Sequence, residues 1–187
     1  ILIFVFAGEL QVYCEKQEIT VTKGECIFIR KHMDIELIRK SSNGEAFSSI
    51  FMGFTKSFLL DFHHHINKNN LPENPAGFDR NMIRIPHNPY MQSIYVSLLP
   101  YLQWDNIPMK QIMELKLMEA VFSLLLTDQR FYSYLFDFGK SSAMNLNIWN
   151  DERYNNDQLC EAICCSSDKS LQACETNISR INFPGCQ

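Results

Sequence analysis

Residues 8–37 read GELQVYCEKQEITVTKGECIFIRKHMDIEL, and this stretch decides the predicted fold class. Apolar and polar side chains alternate in "LQVYC", while "ITVT" and "CIFIR" are rich in the β-branched and aromatic residues that strands favour. Polar turns at 15–18 and 23–25 separate the three runs. Several short strands joined by close turns predict an antiparallel sandwich or barrel.

The strand pattern continues on both sides of this stretch, from residue 1 to residue 54. The opening run "ILIFVF" is fully apolar, which is typical of a strand buried on both faces. Farther along, "IELIR" and "AFSSIFMGF" flank Asn43-Gly44, the strongest short hairpin signal. We therefore predict a β-barrel domain at 1–54, and we expect its front to be truncated because the chain begins at Ile1 and not at Met.

A helical period replaces the strand period after residue 54. Phe58, Phe62 and Ile66 lie four residues apart, behind Thr55, a residue type that caps helices well. These spacings predict a first helix directly after the last strand of the β domain.

The rest of the segment 55–139 is predicted to be mostly helical. The sequence "NMIRIP" at 81–86 indicates one further strand. Two longer helices are predicted between about 88 and 126, the first opening at Asn88-Pro89 and the second at 105–108. The predicted fold class is therefore α+β, an antiparallel barrel followed by a helical segment.

The second long helix carries two apolar stripes instead of one. One stripe consists of Ile112, Leu115, Met118, Phe122 and Leu125, and the other of Met113, Leu117, Val121 and Leu124. Two stripes indicate burial on more than one side. A helix that packs on its own domain and on a partner subunit has this pattern, and so does a helix buried in a single core.

Charge gives no reason to expect nucleic acid or a membrane as a partner. The formal net charge is −4 and the sequence pI is about 5.7, so the chain as a whole does not attract anionic polymers or anionic lipid. No run approaches the roughly 18 apolar residues of a membrane span. We expect a cytoplasmic protein with no membrane contact.

The order of strands and glycines in the first 54 residues resembles the cupin barrel. Metal-binding cupins place a glutamate before the first glycine motif and a histidine after the second, and these positions fall on Ile1 and Ile35. His32 is three residues out of register, which turns it to the other face of its strand. The resemblance therefore implies a cupin without metal or other cofactor, with His32 at the surface.

Together with the long helix, this barrel resembles the N-terminal sensor and dimerisation domain of AraC-type transcription regulators. The resemblance covers residues 1–139 and is carried by "GELQVYCEKQEITVTKGECIFIRK", by "PMKQIMELKLMEAVFSLLLTD" and by the "L-K-L-x-E" pattern that contains Lys116 and Glu119. It implies a homodimer, an unknown small-molecule effector and no catalysis. One of the two stripes is expected to form the dimer interface, and the sequence leaves open whether it is the one with Leu115, Met118, Phe122 and Leu125 or the one with Leu117 and Leu124.

The resemblance also implies a ligand pocket inside the barrel. Its predicted lining comprises Phe4, Phe6, Tyr13, Phe28, Arg30, Phe51 and Met52, mostly apolar residues with few polar groups, as small-molecule sites have. Arg30 is the candidate for holding an anionic or polyhydroxyl ligand through a bidentate contact. The alternative is that Arg30 lies at the surface at the end of its strand.

The tail at 140–187 does not have the composition of a DNA-binding half. It carries four basic and six acidic residues, whereas DNA recognition draws most of its affinity from basic contacts to phosphate. The run "DQLCEAICCSSDKSLQACETNI" has a faint helix-turn-helix cadence. We interpret the tail as a degraded or mis-framed first unit or as an unrelated ending, with duplex DNA bound only through a C-terminal half not recognisable here.

Two further clusters invite a metal interpretation and do not support it. The tail cysteines Cys160, Cys164, Cys165, Cys174 and Cys186 match no common zinc spacing, and free thiols are expected. Adjacent histidines at 63–65 point about a hundred degrees apart on a helix, so they do not converge on one ion.

Two other functional classes remain open from the sequence. One is a metal-dependent cupin isomerase or dioxygenase, against which Ile1 and Ile35 count. The other is a pure dimerisation module whose barrel is too tightly packed to hold a ligand.

Overall fold

The computed structural model describes residues 1–30, 33–66, 76–103 and 109–138, and two short strands farther along the chain. The strands are β1 (Leu2–Ala7), β2 (Glu9–Cys14), β3 (Gln17–Thr22), β4 (Cys26–Ile29), β5 (Asp34–Lys40), β6 (Ser48–Met52), β7 (Met82–Ile85), β8 (Ile163–Ser167) and β9 (Asn177–Asn182). The helices are α1 (Lys56–His65), α2 (Pro89–Gln103), α3 (Lys110–Thr127) and α4 (Phe131–Phe136).

The strands form two antiparallel sheets. Sheet A has the order β7-β4-β1-β6-β8, and sheet B has the order β3-β2-β5-β9. The stretch quoted at the outset supplies β2, β3, β4 and the start of β5, and its β2–β3 hairpin pairs Cys14 with Gln17 across a two-residue loop. The predicted α+β class with antiparallel sheets is confirmed.

A closed barrel is not formed by the residues that the structure describes. Strands β7 and β3 are the edges of sheets A and B on the same side of the molecule, and they are not paired with each other as neighbours in a sheet. The Arg84 guanidinium spans this side, where it donates hydrogen bonds to the Thr20 carbonyl and to Glu25 Oε1, the latter at 3.1 Å. Strand periodicity cannot distinguish a sandwich from a barrel because both alternate in the same way.

Sheet A separates two apolar cores. The inter-sheet core contains Ile3, Val5, Leu10, Leu37 and their neighbours. The helix-side core lies between sheet A and the four helices, and it includes Leu2, Phe4, Leu98, Leu117 and Phe131. Strand β1 serves both cores because successive side chains point to opposite faces of a sheet, which explains why "ILIFVF" is apolar throughout.

Two glycine-containing turns set the register of the strands. Gly8 has φ of 75°, and a Cβ at this position would lie 2.4 Å from the Lys40 carbonyl oxygen, so no other residue fits between β1 and β2. Asn43 and Gly44 both have positive φ, at 54° and 77°. This is the backbone that a tight hairpin turn requires, and the predicted turn is confirmed.

Side-chain caps define the starts of two helices. Thr55 Oγ1 accepts a hydrogen bond from the Phe58 amide at 3.2 Å, which caps α1 as predicted. Asn88 Oδ1 accepts from the amides of Tyr90 and Met91 at the start of α2. The predicted strand at 81–86 is β7, whereas the predicted opening of α3 at 105–108 lies outside the described residues.

The faint helix-turn-helix cadence of the tail does not correspond to helices in the two tail segments that the structure describes. Residues 163–167 form β8, which pairs with β6, and residues 177–182 form β9, which pairs with β5. Strands β6 and β5 present backbone donors and acceptors that added strands can satisfy, and a faint helical period competes poorly with such pairing. His32, Cys160, Cys174 and Cys186 lie outside the described residues.

Candidate functional site

The two stripes of α3 have very different surroundings. The buried stripe, Met113, Leu117, Val121 and Leu124, is at most 1% exposed and belongs to the helix-side core. The exposed stripe consists of Ile112, Leu115, Met118, Phe122 and Leu126, whose exposed fractions run from 39% to 61%. A row of large apolar side chains open to solvent is a feature that marks interaction surfaces.

The six residues predicted for the dimer interface divide between these surroundings. Leu115, Met118 and Phe122 lie on the exposed stripe. Leu117, Leu124 and Leu125 are buried within their own chain, Leu125 at 7% exposure. The sequence grouped Leu125 with Phe122, but three residues turn a helix by about 300°, which is enough to carry Leu125 over the boundary of the core.

A polar contact joins α2 and α3 beside the exposed stripe. Lys116 Nζ donates to Ser97 Oγ at 2.9 Å and to Glu119 Oε2 at 2.8 Å. Both charged side chains are partly buried, at 20% and 35% exposure. The Lys116 and Glu119 pattern that drew attention in the sequence therefore connects α3 to its neighbouring helix.

Four of the seven predicted pocket residues lie in the helix-side core and not between the sheets. These are Phe4, Phe6, Phe28 and Met52, each at most 5% exposed. The Phe6 ring stacks on Tyr95 at 4.4 Å, and the Phe28 ring meets Phe131 at 5.2 Å. These four side chains therefore do not face the interior of a barrel, as the sequence suggested. The strands have apolar residues on both faces, and the sequence could not tell which face meets the other sheet.

The other three predicted pocket residues have separate surroundings. Phe51 is partly buried against the inter-sheet core. The Tyr13 hydroxyl donates to Glu18 Oε1 at 3.0 Å, and this bond is the main reason why the pKa of Tyr13 is raised. Arg30 is exposed, with its guanidinium 4.9 Å from the centre of the Tyr134 ring and 3.4 Å from Asp137 Oδ2.

A groove opens between the edge strands β3 and β7, on the side where the two sheets are not joined. Its volume is about 820 Å³. It is lined by Glu18, Ile19, Thr20, Gly77, Phe78, Asp79, Arg80, Met82, Ile83, Arg84 and Arg130. This site was not predicted because its residues come from three separate segments, and the three arginines within them are the signal that the sequence offered.

A smaller cavity of about 130 Å³ lies at the start of α2. Phe4, Cys26, Met91 and Tyr95 are among its lining residues, and burial raises the pKa of the Cys26 thiol to about 12. A thiol with so high a pKa is protonated and unreactive at neutral pH. Nucleophilic chemistry at this cavity is therefore not supported by Cys26.

The histidines at 63–65 are not arranged around a common metal position. His63 Nε2 lies 3.2 Å from the Tyr132 hydroxyl, and His65 Nδ1 lies 2.7 Å from the carbonyl oxygen of Asp61, on opposite flanks of α1. Within the described part of the chain, no group of three or more His, Cys, Asp or Glu residues is arranged to hold a metal ion. The register positions Ile1 and Ile35 both pack in the inter-sheet core.

None of the described helices has the combination of length and apolarity that crossing a membrane requires. The longest of them, α3, instead alternates its two apolar stripes with polar residues such as Gln111, Lys116 and Glu119.

A family model described as the ExsA N-terminal regulatory domain matches residues 1–134. The class of protein is therefore that of N-terminal regulatory domains of AraC-type transcription regulators. Within this class, the chain belongs to the ExsA N-terminal regulatory domain family. The match spans β1 to most of α4, including α3 and the groove, and no curated protein matches the chain.

Proposed function

We propose that this chain is the dimerisation and effector-sensing part of an AraC-like regulator, and that it dimerises through the exposed stripe of α3. The single observation that carries the proposal is the contrast between 58% exposure at Leu115 and 1% at Leu117, two residues away on the same helix. A monomer would leave the exposed stripe in water, which soluble proteins seldom tolerate for a contiguous apolar row.

The spacing of the stripe favours a second copy of the chain as the partner. In a two-fold interface, residue i contacts residue j while j contacts i. An axis beside Met118 that relates two antiparallel α3 helices sets Ile112 opposite Leu126 and Leu115 opposite Phe122. Each apolar residue then faces another apolar residue, and the stripe complements itself.

Effector sensing is the second part of the proposal. It is supported by the size of the groove between the sheets, because about 820 Å³ lies within the range of small-molecule sites. A pure dimerisation module needs no such cavity, and a metal-dependent cupin enzyme needs ligands where this chain has Ile1 and Ile35. The cupin-like ancestry of the two sheets and a cytoplasmic location, where a transcription regulator meets DNA, belong to the same proposal.

Specific DNA binding is assigned to a part of the regulator other than residues 140–187. These residues carry a net charge of −2. Their described segments are β8 and β9, which extend the two sheets of the sensor. Because acidic residues outnumber basic ones in this segment, it offers little of the counterion release on which DNA affinity depends.

Sedimentation equilibrium on two matched variants tests the dimer. Leu115→Glu with Leu126→Glu places two carboxylates on the exposed stripe and leaves the ring contact between Phe62 and Phe122 at 5.1 Å intact. Gln17→Glu with Ser41→Glu adds the same charge at two exposed positions, one in β3 and one directly after β5.

We expect a folded monomer from the first pair, because burying unpaired carboxylates at an interface is costly, and a dimer from the second. A monomeric unmodified chain, or a dimer that persists in the first variant, would contradict the proposal. Circular dichroism establishes in each case that the chain is folded.

A further inference from the structure

Three arginines converge on the groove, and they differ in how they are held. Arg84 donates to Glu25 and to the Thr20 carbonyl. Arg130 is held by Asp128 through contacts of 2.7 to 3.1 Å, and its guanidinium lies 4.3 Å from the centre of the Phe78 ring. Arg80 is exposed and forms no ion pair with any of the residues that the structure describes.

The two carboxylates that line the groove do not neutralise Arg80. Glu18 accepts a hydrogen bond from the Tyr13 hydroxyl, its cross-strand neighbour. Because Ile19 and Val21 pack on the inter-sheet core, Glu18 belongs to the opposite, outer face of sheet B. Asp79 is exposed and adjacent to Arg80 in the chain, but among the described residues no ion pair joins the two side chains.

The rest of the lining is apolar, with Ile19, Met82, Ile83 and Phe78 between the charged groups. A planar guanidinium with free donors matches a carboxylate in a bidentate geometry. Apolar side chains next to it provide contact area for a hydrocarbon or aromatic body. Together they define a ligand with a charged end and an apolar end.

We propose that the groove between β3 and β7 binds a small organic carboxylate, with Arg80 holding the carboxylate and Ile19, Phe78 and Met82 contacting the apolar body. This site is distinct from the barrel-interior residues that the sequence suggested, since none of Phe6, Phe28 or Met52 lines the groove.

Direct contacts connect the groove to α3, the helix of the proposed dimer interface. Asp128 is the C-cap residue of α3, and its partner Arg130 lines the groove. The Tyr134 hydroxyl donates to the carbonyl oxygens of Phe78 and of Arg80, the latter at 3.0 Å, and thereby joins the groove wall to α4. A bound carboxylate offers Arg130 a second partner beside Asp128, within one turn of Leu126 on the exposed stripe. This regulatory role rests on the proposed function, whereas binding itself does not.

Titration with indole-3-acetate, followed by NMR of the isoleucine and methionine methyl groups, tests the site. Indole-3-ethanol is the matched neutral probe, and Arg80→Gln is the variant. Arg30→Gln is the comparison, since Arg30 is an exposed arginine outside the groove.

We expect saturable shifts at Ile19, Met82 and Ile83 with the carboxylate. Arg80→Gln should weaken binding about tenfold or more, as expected for loss of a charge-assisted bidentate contact, while Arg30→Gln should leave it unchanged. Equal binding of the neutral probe, unchanged affinity in Arg80→Gln, or no saturable shift with indole-3-acetate would overturn the proposal.

The same samples, examined by sedimentation equilibrium with and without indole-3-acetate, separate the two proposals. A change in the dimer dissociation constant on binding supports the connection through Arg130, and binding without any change overturns that connection. A chain that binds the probe as a monomer contradicts the dimer alone, and a dimer that does not bind it contradicts the groove alone.

Discussion

The buried stripe and the exposed stripe of α3 are made of the same kinds of residue and have opposite surroundings. Leu117 and Leu124 are almost completely enclosed by sheet A and the neighbouring helices, whereas Leu115 and Leu126 are more than half exposed. Apolar character on a helix therefore indicates that a surface is to be covered, but not by what. In our proposal a second copy of the chain covers the exposed stripe, whereas the buried stripe is covered by its own chain, and the following variants test this difference.

The largest expected effect is in the buried stripe. Leu117→Ala should lower the free energy of unfolding by about 2–5 kcal/mol, because it leaves a cavity in a close-packed core. Leu117→Glu with Leu124→Glu should yield no folded protein, since two carboxylates would have to be buried without partners. Urea unfolding followed by circular dichroism measures the first, and a cost below about 0.5 kcal/mol would refute our assignment of Leu117 to the core.

The exposed stripe should show a smaller effect, and on a different quantity. Leu115→Ala with Leu126→Ala should raise the dimer dissociation constant by about 10-fold or more, as loss of buried apolar contacts at an interface does. Since neither side chain supports its own core, the secondary structure should stay intact. Analytical ultracentrifugation over a dilution series measures the constant, and an unchanged value would remove these two leucines from the interface.

Lys116, at the border between the stripes, should contribute modestly to the stability of the fold. A double-mutant cycle between Lys116→Met and Ser97→Ala should give a coupling free energy of about 0.5–1 kcal/mol, the range of a partly exposed hydrogen bond to a charged group. Urea unfolding of the four proteins in the cycle measures this value. A coupling of zero would mean that α2 and α3 are held together by apolar packing alone.

The smallest expected effect is a pH dependence at the C-terminal end of α3. Hydrogen bonds from the Arg130 side chain hold the pKa of Asp128 below its ordinary value. This contribution to stability is therefore fully present above the unfolded-state pKa of about 3.9 and is lost as the pH falls through the lower folded-state pKa.

Asp128→Asn should accordingly be less stable than the unmodified chain at pH 7, and the two should converge in acid. Urea midpoints measured across this range provide the check. The difference should be small because the pair is partly exposed, with Arg130 at 54% and Asp128 at 29%, and is screened by solvent. A gap that widens as the pH falls would contradict the sign of the Asp128 shift.

Several parts of the fold followed from local rules that operate within a few residues. The Asn43-Gly44 turn needs positive φ at two successive positions, and few other dipeptides adopt it readily. Thr55 caps α1 by accepting a hydrogen bond from the Phe58 amide, which is only three residues farther along the chain. The resemblance to an AraC-type N-terminal domain was also accessible, since it depends on the order of such local elements, and the family match at 1–134 confirms it.

The candidate site was harder to predict from the sequence. Phe4 and Ile3 are neighbours in one apolar run, yet Phe4 packs on the helices and Ile3 packs between the sheets. Nothing in "ILIFVF" distinguishes these faces, so residues that were expected to face the interior of a barrel lie on the helix side of sheet A. Arg80, Arg84 and Arg130 meet in one groove only because β7 and α4 are folded next to β3.

The sequence by itself thus determined the strands of the β region, its turns, the extent of α1 to α3 within a few residues, and the presence of two apolar stripes on α3. Periodicity and turn chemistry suffice for these because each depends on backbone geometry over a few consecutive residues. Only the tertiary structure decided that Leu117 lies inside and Leu115 outside, that the sheets leave an open side, and that three arginines line it. Those outcomes depend on which surfaces meet across long distances in sequence, where many apolar faces are chemically equivalent and packing alone selects among them.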